Sequence, residues 1–132
     1  MPFHLSTFRC GTPPRQGEGL RIGVTRRPPR GIPEEKWQAK DCFDVWFPLL
    51  APSANLLKQY RPVSAETYSR FCSAYQHEVK SKADSSRALD LLAAMAARMP
   101  VSIGCFCEDE NLCHRTHLRS LIEARAKELG LL

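Results

Sequence analysis

The chain has 132 residues, 43% of them hydrophobic and 25% charged. That is enough for one globular domain with its own core, and no window offers the roughly 18–20 apolar residues of a transmembrane helix. Its 19 Lys and Arg against 14 Asp and Glu leave a net charge of +5, which favours anionic partners only mildly. Nucleic acid is not excluded, although no long basic stripe interleaved with stacking aromatics is present.

The N-terminal MPFHLSTFRCG lacks the charged and long apolar regions of a signal peptide, so a cytoplasmic protein without membrane association is expected. Residues 3–9 alternate weakly and form a candidate strand. The Pro and Gly of residues 10–19 mark a loop. Leu20, Ile22 and Val24 alternate and predict a strand over 20–26. The following RRPPRGIP is irregular, because consecutive prolines remove donors and fix φ. Pro33, Glu34 and Glu35 suit the first turn of a short helix over 33–40.

Phe43, Val45 and Phe47 predict a third strand, ended by Pro48. Ser53 is placed to cap a short helix over ANLLKQY, and Pro62 breaks it. Ser64 can cap the next helix, 65–80, where Tyr68, Phe71, Cys72, Tyr75 and Val79 share one face. KSKADSS reads as a polar connector, and Ser85 or Ser86 as the cap of a helix over 86–99. Strands separated by helices predict α/β: a single domain over residues 1–132 with a short, mainly parallel sheet flanked by helices.

The stretch Val101 to Leu129 carries the densest chemistry. Val101 to Cys107 is apolar on both faces, as a buried parallel strand is. Asn111 is then expected to cap a helix over 112–129, closed by Gly130. Cys105, Cys107, Cys113, His114 and His117 all fall here, and three readings stay open. The cysteines and histidines can be ordinary core groups. Cys113 or Cys107 can be a reactive thiolate beside a helix N-terminus and Arg115, opposed by the acids Glu108, Asp109 and Glu110. Or Cys105, Cys107, Cys113, His114 and His117 can supply zinc ligands, although the spacing matches no standard finger. No zinc or other cofactor is expected, on the ground that Cys105 and Cys107 would point into a packed strand face. Cys10, Cys42 and Cys72 read as structural.

Arg26, Arg27 and Arg30 lie on a proline-braced loop after a strand, as the Cys/His segment does. If both strands are parallel, the two loops meet at the carboxyl edge of the sheet, where ligands bind.

The segments RIGVTRRPPRG, WFPLLAPSANLLKQY, TYSRFCSAYQHEV and VSIGCFCEDENLCHRTHL resemble, in this order, the YeaO-like proteins of domain-of-unknown-function family 488. The similarity spans about residues 20–125. It rests on Arg27, Pro29, Arg30 and Gly31, then Leu50, Ala51, Pro52 and Ser53, then Cys113, His114 and Arg115. It departs at Thr25 to Pro28, where the family tends to carry Asp-Arg-Leu-Trp. The resemblance implies a small α/β domain and no particular reaction.

The residues support an anionic small molecule or nucleotide as ligand. Arg26, Arg27, Arg30, Asn111 and Arg115 would bind it, and Cys113 and His114 would act as nucleophile or acid–base groups if the protein is an enzyme. The alternative is a zinc-stabilised or purely structural interaction domain.

Overall fold

β4 (Val101–Cys105) is buried at all five positions and carries the sheet. In the computed structural model, which describes residues 3–132, it lies between β1 (Leu5–Arg9) and β2 (Leu20–Gly23). The order is β1-β4-β2-β3, with β3 (Val45–Trp46) at the edge and every neighbouring pair parallel. The register sets Leu5 and Leu20 beside Val101, and Ile22 beside Ile103. Both edges of β4 are therefore hydrogen-bonded, which permits an apolar strand to be buried at no backbone cost.

The helices are α1 (Ala54–Tyr60), α2 (Tyr68–Ser81), α3 (Ala83–Ala96) and α4 (His114–Glu128). They join one face of the sheet, where Leu5, Ile22, Val101 and Ile103 meet Phe71, Tyr75, Leu92, Leu118 and Ile122 in a single core. Each such aliphatic side chain contributes about 1.5–3 kcal/mol through burial. Among the described residues, no helix is long and apolar enough to cross a membrane.

The other face is covered by irregular chain. A smaller apolar group of Phe8, Cys10, Trp37, Cys42 and Phe43 lies there. A Cβ on Gly23 would stand 2.1 Å from the Phe43 ring, and one on Gly104 2.5 Å from Phe8. Glycine at both positions is what lets these rings rest on the strands. Beside them Glu18 and Arg21, 3% and 4% exposed, form an ion pair with Nε–Oε1 at 2.6 Å. Arg21 also donates to the Asp41 carbonyl at 2.9 Å and stands 4.3 Å over the Phe8 ring. One guanidinium thus ties two loops onto the sheet.

Several boundaries differ from the sequence expectations. The central strand stops at Cys105, not Cys107, because the partner ladders end at Arg9 and Gly23. The expected helix over 33–40 is a single 3-10 turn, Glu34–Lys36. α2 starts at Tyr68 because Ser64 and Thr67 first close a turn, each side chain accepting from the other's backbone N–H at 3.0 and 3.3 Å. The expected polar connector is Lys82 alone, and Ser85 lies inside α3, buried and donating to the Leu49 carbonyl. α4 is capped by Cys113, while Asn111 sits in a preceding 3-10 turn. Ser53 caps α1 as expected, and Gly130 at φ 74° closes α4, with Leu131 N–H bonded to the Ala126 carbonyl.

Burial alone would raise the Glu18 carboxyl, but hydrogen bonds from Arg21 and then Arg15 outweigh it and hold it below the usual value. A carboxylate lowered by folding stabilises the protein above its unfolded pKa of about 4.3, and that stability is lost as pH falls through the folded value. Glu18→Gln leaves Arg21 buried without its anion, so urea denaturation at neutral pH should show a loss of about 3–5 kcal/mol. The gap between variant and parent should narrow below about pH 4.

Candidate functional site

Because β2 and β4 are adjacent and parallel, the chain leaves them at the same end of the sheet. After β2, Val24 and Thr25 stay buried, and Thr25 turns the loop by donating from Oγ1 to the Arg27 carbonyl at 2.8 Å. Trp46 Nε1 donates to the Thr25 carbonyl at 3.0 Å and holds it to β3. Arg26, Arg27 and Arg30 are then exposed, braced by Pro28 and Pro29. A cleft of about 530 Å³ lies between this loop, Pro52, Leu57 and Arg61 on one side and Cys105, Phe106, Cys107 and His114 on the other. A neighbouring hollow of about 540 Å³ shares Arg26, Arg27, Arg30 and Arg61 and adds Lys58.

Strand alternation sends Cys105 to the helix-bearing face, where it meets the start of α4. Its Sγ lies 2.8 Å from Cys113 Sγ. Cys113, 1% exposed, accepts the Arg115 N–H at 3.5 Å and so caps the helix with sulfur. His114 Nε2 lies 2.7 Å from the Val24 carbonyl, which makes Nε2 the protonated nitrogen. Its Nδ1 is left facing Cys113 Sγ at 3.8 Å. Burial lowers the His114 pKa despite the bond to Val24, so the ring is a neutral imidazole. Tyr75 supports that ring edge-on at 5.5 Å.

Arg115 is 3% exposed and points inward. Its Nη1 donates to Cys105 Sγ at 3.1 Å and to the Cys107 carbonyl at 3.0 Å, and its Nε has no partner. Among the described residues no carboxylate pairs with it, so a buried guanidinium relies on sulfur for its counter-charge. Hydrogen bonds from the Cys105 and then the Cys113 thiol hold Cys107 well below the ordinary thiol range against the opposing effect of burial. Contacts with Cys105 and Cys107, together with burial, push Cys113 up. Cys105 is also raised, chiefly by Cys107.

Of the residues singled out from sequence, Arg26, Arg27, Arg30, Cys105, Cys107 and His114 line one cleft. Cys113 and Arg115 lie behind it, buried. Asn111 is exposed, and its N–H is taken by Asp109 at 2.9 Å rather than offered to a ligand. His117 bonds Gln76 of α2 at 2.9 Å and stands outside the group formed by Cys105, Cys113 and His114. The expectation that Cys105 points away from the helix start is corrected, since strand and helix converge on its sulfur. The acids turn elsewhere: Glu108 pairs with Arg9 at 3.4 Å, and Asp109 caps the 3-10 turn. Arg61, Lys58 and Phe106 were not singled out. Arg61 and Lys58 reach the site only because α1 packs beside the arginine loop, which no local pattern records.

The family model described as the active DUF488-N3 subclade matches residues 5–126. The chain belongs to this family. The likeness to YeaO-like proteins agrees with that membership. No curated protein and no solved structure matches the chain. In this DUF488 protein the Cys-His-Arg triplet at 113–115 forms the interior of the candidate site, and the arginine loop its exposed side.

Cys107 is the only exposed thiol of the six, the other five being buried. Iodoacetamide should therefore modify Cys107 on the order of 10-fold or more faster than the rest, as read by peptide mass spectrometry. Equal labelling of Cys113 would contradict the burial described.

Proposed function

We propose that the protein binds an anionic small molecule of the nucleotide class in the cleft between the arginine loop and the Cys/His cluster. The observation that carries this reading is the convergence of Arg26, Arg27, Arg30 and Arg61 on one cleft without an internal counter-charge. The ion pairs among the described residues use other arginines. Guanidinium forks match phosphate oxygens in pairs, and a proline-braced loop loses little entropy on binding. Pro28, Pro29, Pro52, Leu57 and Phe106 add an apolar wall, with Phe106 43% exposed and free to take the face of a base.

The floor of the cleft gives that ligand a chemical neighbour. Cys107 and His114 face it, and Cys113 acts on it only through Cys105 and the helix start. In an enzyme of this kind Cys107 is the thiol placed to approach a bound centre, with His114 as its neutral companion. Binding without reaction uses the same contacts, so binding is the part to test first.

Titration with AMP, inorganic phosphate and adenosine, followed by amide NMR, separates the contributions. AMP should bind with a Kd of about 1 mM or tighter, and phosphate more weakly. Arg30→Ala should weaken AMP about 10-fold, the loss of one charge-assisted contact. Absence of saturable shifts at Arg30, Phe106 and His114 up to about 10 mM AMP would sink the reading.

A further inference from the structure

We infer that Cys105, Cys113 and His114 form a three-ligand zinc site at the floor of the cleft. The three ligand atoms lie within 4.8 Å of one another and are buried. They come from two elements held by the fold: the end of the central strand and the first residues of α4. No rearrangement of the backbone is needed to bring them together.

The surroundings match those of a metal site. His114 donates from Nε2 to a backbone carbonyl, which fixes the ring and leaves Nδ1 unprotonated toward Cys113. That is how ligating histidines are oriented by an outer partner. Both sulfurs accept backbone N–H groups from two residues onward, Cys105 from Cys107 at 3.4 Å and Cys113 from Arg115 at 3.5 Å. Arg115 Nη1 adds a third donor on Cys105. A thiol is a weak acceptor, so three donors aimed at two sulfurs suit anionic, metal-bound sulfur.

Distances can be compared with tetrahedral zinc. Zn–S of about 2.3 Å and Zn–N of about 2.0–2.1 Å set an S···N edge of roughly 3.6 Å and an S···S edge of roughly 3.8 Å. Cys113 Sγ to His114 Nδ1 is 3.8 Å, already close to the first. The sulfurs of Cys105 and Cys113, at 2.8 Å, must open by about 1 Å, a rotation of one side chain. The charges also close. Zinc with two thiolates and a neutral imidazole carries no net charge, and Arg115 Nη1 holds the Cys105 sulfur in place. A sulfur and imidazole set with this geometry selects zinc over hard cations. The spacing Cys, seven residues, Cys-His differs from standard fingers because the ligands straddle a strand end and a helix cap. The inference stands apart from nucleotide binding, since it concerns the interior of the site and is read by metal content.

Protein purified without chelator should hold about one zinc per chain by elemental mass spectrometry. Cobalt loading should give the intense visible bands of a tetrahedral thiolate site. Cys105→Ser and Cys113→Ser should lose the metal, while Cys42→Ala, altered in the apolar group on the other face of the sheet, should keep it. Cys107→Ser, outside the ligand set, should weaken zinc by no more than the roughly 10–100-fold that loss of an outer partner costs. If the ligand variants do not fold, cobalt spectra and chelator competition on the unaltered chain decide the matter alone. Less than about a tenth of a zinc per chain with no tetrahedral cobalt bands, or a Cys105–Cys113 disulfide in the freshly purified protein, would overturn the inference. AMP titration of the same samples reports separately on the cleft.

Discussion

The placement of the candidate site depends on β4 having a parallel partner on each side. Two hydrogen-bonded edges allow the strand to be buried completely, and the parallel sense of β2 and β4 sends both chain exits to one end of the sheet. An antiparallel β2 would have put the arginine loop about the length of the sheet away from the Cys/His segment. The site is therefore a consequence of strand direction before it is a matter of any side chain.

The two faces of the sheet solve burial differently. One face is served by helices, and the chain there obeys simple periodicity. The other is roofed by loops that cannot form a continuous apolar layer, and a buried ion pair with a stacked guanidinium takes the place of a helix. Glycines at 23 and 104 let aromatic rings descend onto the strands. Such an arrangement is intolerant of single changes, because a buried charge without its partner has no route back to water.

At the site the same physics runs the other way. Arg115 is buried beside sulfur and not beside a carboxylate, and its Nη1 donates to Cys105 Sγ and to the Cys107 carbonyl. The exposed arginines across the cleft lack a counter-charge of their own, because the acids that precede α4 turn to Arg9 and to a helical turn. The rim arginines beside the cleft are left without an internal counter-charge among the described residues.

Much of this was present in the sequence alone. Alternation of Leu20, Ile22 and Val24, the helical face of Tyr68 to Val79 and the apolar run at Val101 are local patterns of side-chain periodicity, and each gave an element of the expected type, with β2 ending at Gly23 rather than at 26. Pro28 and Pro29 marked the braced arginine loop, and the concentration of Cys and His marked the segment at 105–117. What periodicity cannot record is which groups meet across the fold. The pairing of Glu18 with Arg21 under a loop, the approach of α1 that brings Arg61 and Lys58, and the inward turn of Arg115 depend on contacts between segments far apart in sequence or hidden within irregular chain. The cap of α4 passed from Asn111 to Cys113 because the preceding residues closed a 3-10 turn first. Only the tertiary structure decided that Cys105 faces the helix start, since that required the strand, its parallel neighbours and α4 to be in place together.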